Sequence, residues 1–189
     1  MDIQKFEQPQ VIENQDMAQL GYSDIRAYEI ENAGELAWFV QHFYAGDLET
    51  QNVSLADNID MSALAAYSWT PLGYYNVETQ TGKSYDGVFD GNGYSISNII
   101  LNQINGVDLV SKVSEEQAAV LGTQPIENIA QNALAGVFGY IGSAGHVTEL
   151  KLENTSITSN ADAGVLTGRN EGSISACVTS GASVTSSKK

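Results

Sequence analysis

Three groups of side chains in this sequence are of types that do chemistry. Asp57 with Asp60, and Asp86 with Asp90, are paired carboxylates. A glycoside hydrolase needs two carboxyl groups ~5–9.5 Å apart across a cleft. Asp57 and Asp60 sit in a strand-and-turn segment, where packing and turn roles account for them. A polysaccharide lyase would want a basic residue beside a metal cluster, and Arg26 and Arg169 are the only arginines. The second group is the oxygen-rich turn Asp86, Asp90 and Asn92, whose oxygens make it a candidate for Ca²⁺. A calcium loop supplies more ligands, including a distant Glu. These are missing at that spacing, so the turn reads first as hydrogen-bonded. The third group is aromatic: Tyr67, Trp69, Tyr74, Tyr75 and Tyr85. Such rings stack on sugars, and they also cover sheet edges. His42 and His146 lack a second ligand at the H-E-x-x-H spacing, and neither a G-x-S-x-G elbow nor a phosphate loop occurs. The residues therefore predict no enzyme and no cofactor, with the five aromatics as the candidate binding residues.

These side chains need elements to position them. Leu36, Phe39, Val40 and Phe43 recur at i, i+3, i+4 and i+7, one stripe of a helix. Asn32 with Glu35 resembles a capping box, and Gly46 suits a left-handed stop. Val53, Leu55, Ile59 and Met61 alternate with polar neighbours as in a half-buried strand, interrupted by a bulge or a turn at Asp57. Residues 103–134 form an excursion. Within it Leu109, Val110, Val113, Gln117, Val120 and Leu121 recur at helical spacing, Gly122 ends that helix, and Pro125 begins a second short turn holding Ile126 and Ile129. Residues 1–29 read as a polar arm, and 30–189 as one capped domain carrying the excursion as an insertion.

A degenerate repeat runs through that domain. Its copies begin Gly87-Val88-Phe89, Gly136-Val137-Phe138 and Gly164-Val165-Leu166, and the last two start 28 residues apart. Each is an apolar step, a glycine-bearing turn and an alternating strand. That period predicts an all-β fold, a right-handed parallel β-helix capped by the 32–45 helix. The alignment stacks Ile96 with Val147 and Ile174, and Ile99 with Leu150 and Cys177. The Ser/Thr-rich end at 180–189 reads as a coil cut short or a frayed tail, with more chain expected beyond Lys189.

Charge narrows the partners. The chain has 23 acidic and 8 basic residues, net −15, with 12 acidic and 2 basic in residues 1–67. A polyanion repels nucleic acid and anionic lipid. No apolar run reaches the ~18–20 residues of a membrane span, and Met1-Asp2-Ile3-Gln4 lacks a signal peptide's character. The single Cys177 excludes an intrachain disulfide and reads as a small buried hydrophobe.

The order of segments resembles the GLUG-motif proteins of bacterial surfaces. The resemblance rests on Glu35-Leu36-Ala37-Trp38-Phe39, Leu55 to Met61, Trp69-Thr70-Pro71-Leu72-Gly73, Phe89 to Ile96, and the steps at Gly136 and Gly164. It covers about residues 30–185. It implies a non-catalytic, adhesin-like module of an extracellular or cell-surface protein, for binding or display. Partners would be a host glycan or protein, or another surface protein. The alternatives are a carbohydrate-active β-helix enzyme and a purely structural stalk.

Overall fold

The computed structural model describes residues 6–129 and 131–187. The Met1–Gln4 start and the Lys188-Lys189 end of the tail lie outside them. The segment expected to be an arm holds β1 (Gln10–Glu13), α1 (Gln15–Gln19) and β2 (Arg26–Ile30), with Met17 fully buried. Helix α2 (Ala33–Ala45) begins at Asn32, whose side chain accepts from the Glu35 amide at 3.0 Å. The Glu35 carboxylate reaches back one residue further than a capping box requires, accepting from the Glu31 amide at 2.7 Å. Gly46, at φ 79°, ends the helix in the left-handed region.

Strands β3 (Val53–Leu55) and β4 (Ile59–Asp60) follow, and Met61 opens a 3₁₀ turn rather than continuing the strand. Next come the hairpin strands β5 (Tyr74–Asn76) and β6 (Thr81–Lys83), then β7 (Val88–Asp90), β8 (Ser95–Ser97) and β9 (Ile100–Asn102). After helix α3 (Leu109–Leu121) lie β10 (Phe138–Ile141), β11 (His146–Thr148), β12 (Lys151–Glu153) and β13 (Ser156–Ser159). The chain closes with β14 (Thr167–Asn170), β15 (Ser173–Ser175), β16 (Val178–Ser180) and β17 (Ser183–Ser186).

This corrects the all-β, right-handed parallel β-helix expectation. Among the described residues the strands divide into five sheets, both mixed and parallel, in a multi-sheet α/β arrangement. The largest sheet, β1-β2-β3-β7-β11-β15, is parallel except at its β1–β2 edge, and β5–β6 is an antiparallel hairpin. Nor is α2 a plug. Its Leu36, Phe39, Val40 and Phe43 are at most 1% exposed and belong to the same buried cluster as Val53, Ile96 and Val147. Each such burial contributes ~1.5–3 kcal/mol.

The register also differs from the sequence alignment in one copy. Val147 stands beside Ile174, as expected, but its other neighbour is Phe89. Ile96 lies instead between Ile59 and Leu152. The cause is the first copy's Gly87-Val88-Phe89, which forms β7 and pairs with β11 rather than with the β10 step. β10 pairs with β14 on one side, and on the other it lies beside the Trp69–Gly73 segment, where Leu72 bridges Phe138 in parallel. Gly73 is required there: at φ +75°, an added Cβ would come within 2.3 Å of the Tyr140 carbonyl oxygen. Cys177 is half-buried beneath Val147, and burial pushes its thiol pKa up.

Candidate binding site

The five sequence-selected aromatics do not gather on one surface. Trp69 is 4% exposed, and its indole N–H donates to the Val137 carbonyl at 3.0 Å. Tyr85 is fully buried, its hydroxyl donating to the Gln51 carbonyl at 2.7 Å. Both are framework. Tyr67 packs at the edge of a small core formed by Ala37, Leu109 and Val113. Tyr74 tilts against Tyr44 with ring centroids 6.3 Å apart.

Tyr75 alone belongs to a surface cluster, whose other members sequence reading did not select. Its ring meets Tyr140 edge-on at 5.7 Å, and the Arg169 guanidinium lies 4.2 Å from the Tyr75 ring centre. Arg169 pairs with Glu171, whose second oxygen accepts from the Tyr140 hydroxyl at 2.8 Å. Bonds from Tyr140 and then Arg169 hold the Glu171 carboxyl below its usual range. The parallel pairing of Tyr140 with Arg169 builds this cluster. The two positions are equivalent in the repeat, and that equivalence is the signal that could have revealed it. Every charged or polar tip in the cluster has a partner.

The oxygen-rich turn divides into two networks. Asp86 accepts from the Ser84 hydroxyl at 2.5 Å and the Ala144 amide at 3.3 Å. Asp90 accepts from the Asn92 amide at 2.9 Å and the Asn14 side chain at 3.4 Å, while Asn92 donates to Ser54 and Leu55. The Asn92 side-chain amide thus ties the first repeat to β3, and the Asp90 carboxylate ties it to α1's N-cap. Asp60 caps the 3₁₀ turn, and Asp57 bonds the adjacent Asn58 amide. No group of three or more His, Cys, Asp or Glu among the described residues is placed to hold a metal ion.

The 103–134 excursion makes a different kind of surface. Asp108 caps α3, accepting from the Ser111 amide at 2.8 Å. Leu109, Val110 and Val113 are then buried, in part against α2. The stripe expected from sequence divides at this point: Val120 is 78% exposed and Leu121 71%. Gly122 ends α3 at φ 67°. Among the described residues the short turn expected at Pro125 is not formed. Residues 123–129 are irregular, and the Ile126 amide is pinned to the Ser114 hydroxyl at 2.5 Å.

Between the C-terminal halves of α2 and α3 this leaves an open groove of about 840 Å³. Binding pockets commonly span ~300–1,000 Å³. Gln41 lies on the groove's α2 side, 5% exposed, donating to Gln117; its own Oε1 is buried and has no hydrogen-bond partner. Buried acceptors of this kind are uncommon, because each forfeits its hydration. His42 stacks on Trp38 at 3.9 Å, with Nδ1 2.8 Å from Asp47 Oδ1. Asp47 and Glu116 supply carboxylates, and the lining contains neither lysine nor arginine, nor any Tyr, Trp or Phe.

The class defined by this geometry is a stacked-strand scaffold of several sheets with a helical pair on its flank. Among the described residues, no helix is long and apolar enough to cross a membrane. Comparison with known proteins adds one likeness. The chain is 28% identical over 156 residues to halomucin of Haloquadratum walsbyi, a match covering 82% of this chain and 1% of halomucin. The chain thus spans a very small part of that relative's length. No family model matches, and no solved structure does either.

Proposed function

We propose that this chain is a non-catalytic binding or display module of a secreted or cell-surface protein, adhesin-like in role, with the strands as scaffold and the α2–α3 groove as its contact surface. The observation that carries the reading is the unpartnered Gln41 acceptor in a groove bordered by exposed Val120 and Leu121. Exposed aliphatic side chains beside an unsatisfied polar group mark a surface made to be covered. The extracellular setting draws on the likeness to halomucin, a protein named as a mucin, and on the GLUG resemblance of the sequence. The carboxylates offered for sugar hydrolysis are occupied elsewhere: Asp90 joins strands and Asp60 caps a turn.

A panel of glycans and matrix proteins tests this, probed with the native chain, Leu121→Lys and Tyr75→Ala. Binding lost in Leu121→Lys and kept in Tyr75→Ala is the expected result. Deleting 103–134 would not serve, because Leu109, Val110 and Val113 are core residues. Turnover of a polysaccharide, abolished by Asp90→Asn in a still-folded protein, would overturn the non-catalytic reading. Surface labelling of intact producing cells checks the location.

A further inference from the structure

Resting on that reading of the groove, we infer that its ligand is a short basic amphipathic helix of a protein partner, with an apolar stripe against Val120 and Leu121 and lysine or arginine side chains toward Asp47 and Glu116. Three observations converge. The groove runs along the C-terminal half of α3, from Ser114 to Leu121, about two helical turns, so a short helix of two to three turns can lie in it. Its lining carries the carboxylates of Glu116 and of Asp47, the latter beside His42, and neither lysine nor arginine, within a chain of net charge −15. Complementary charge speeds encounter and selects against acidic partners. Gln41 Oε1 has no partner and no accessible surface, so a lysine or arginine tip reaches it once the Gln41–Gln117 bond opens. A sugar fits less well, since the lining has no Tyr, Trp or Phe face on which a pyranose could stack.

The test is fluorescence anisotropy of the full chain with a labelled helical peptide carrying leucine at i, i+3, i+4 and i+7 and lysine elsewhere. Two control peptides replace every lysine by glutamate, or every leucine by serine. The expected result is saturable binding of the Leu/Lys peptide, weakened about tenfold or more in both controls and in Leu121→Lys. Val120→Lys is the second variant, and both positions are exposed enough to leave folding intact, which far-UV circular dichroism checks. Equal binding of the serine control would reduce the effect to bulk charge attraction and overturn the inference. So would unchanged affinity in both lysine variants, or displacement of the peptide by a neutral oligosaccharide. Should the panel ligand need Leu121 while the Leu/Lys peptide does not bind, the ligand class falls and the binding module stands.

Discussion

The Tyr75–Tyr140–Arg169 face and the α2–α3 groove are both partly exposed and both mix apolar with polar groups. They differ in what remains unsatisfied. On the first, Arg169 lies over two rings and pairs with Glu171, which in turn accepts from Tyr140. A ligand there must displace bonds already made. In the groove, an acceptor lacks a partner and two large aliphatic side chains face solvent. A ligand there removes apolar surface from water, and adds a bond to Gln41 once the Gln41–Gln117 contact opens. Residue type alone favours the tyrosine face; the state of each group's bonding favours the groove.

The strongest perturbation of this contrast targets an aromatic that sequence reading had placed with the binding residues. Trp69→Ala should cost ~3–5 kcal/mol of stability in chemical denaturation, as for large-to-small changes in a core. The Val137 carbonyl also loses the indole donor and keeps the Leu72 amide alone. A loss under ~1 kcal/mol would return Trp69 to the surface group.

Asp108 tests how α3 is held beside the groove. Burial pushes its carboxyl pKa above the ordinary value, and its Oδ2 has no hydrogen-bond partner. An acid raised by folding favours the folded state when protonated. That contribution is complete below the ordinary Asp value of ~3.9 and is lost as pH rises through the raised folded value. Asp108→Asn keeps a capping oxygen and removes the buried charge. The variant should therefore be more stable than the native chain at neutral pH, by ~1–3 kcal/mol. The gap should close below pH ~4, and denaturant titrations at both pH values read it.

A double-mutant cycle on Tyr75→Ala and Arg169→Ala sharpens the other side. Exposed cation–π pairs couple by ~0.5–1 kcal/mol, so a coupling in that range marks a self-contained surface network. Zero coupling would mean that the ring and the guanidinium are free to meet a ligand. The smallest effect belongs to Leu121→Lys, whose stability should stay within ~0.5 kcal/mol of native, because its side chain is already in water.

Much of the local structure was legible in the residues. Asn32 and Gly46 bound α2, and Gly122 ends α3 where expected, because caps depend on a few neighbouring atoms. The pairing of Val147 with Ile174 also followed from the repeat. The first copy misled because the β5–β6 hairpin separates Leu72 from Tyr85, which bridge Phe138 and Ile141 on the same neighbouring strand. A period measured along the chain does not register such an interruption. The antiparallel β1 edge and the entry of α2 into the core depend on long-range packing, so the architecture expected from periodicity alone was not the one formed. The groove was least legible: the stripe from Leu109 to Leu121 is continuous in sequence, and only docking against α2 shows that its second half is left uncovered.

The most direct test of the central claim maps where small molecules settle on the folded chain. Two-dimensional amide NMR spectra of the isotopically labelled protein, titrated with a mixed library of small fragments, make no assumption about the ligand. Shift changes should concentrate at Gln41, Ala45, Gln117 and Leu121, and leave Tyr75, Tyr140 and Arg169 unmoved. Changes centred on the tyrosine–arginine face, with the groove silent, would contradict the account.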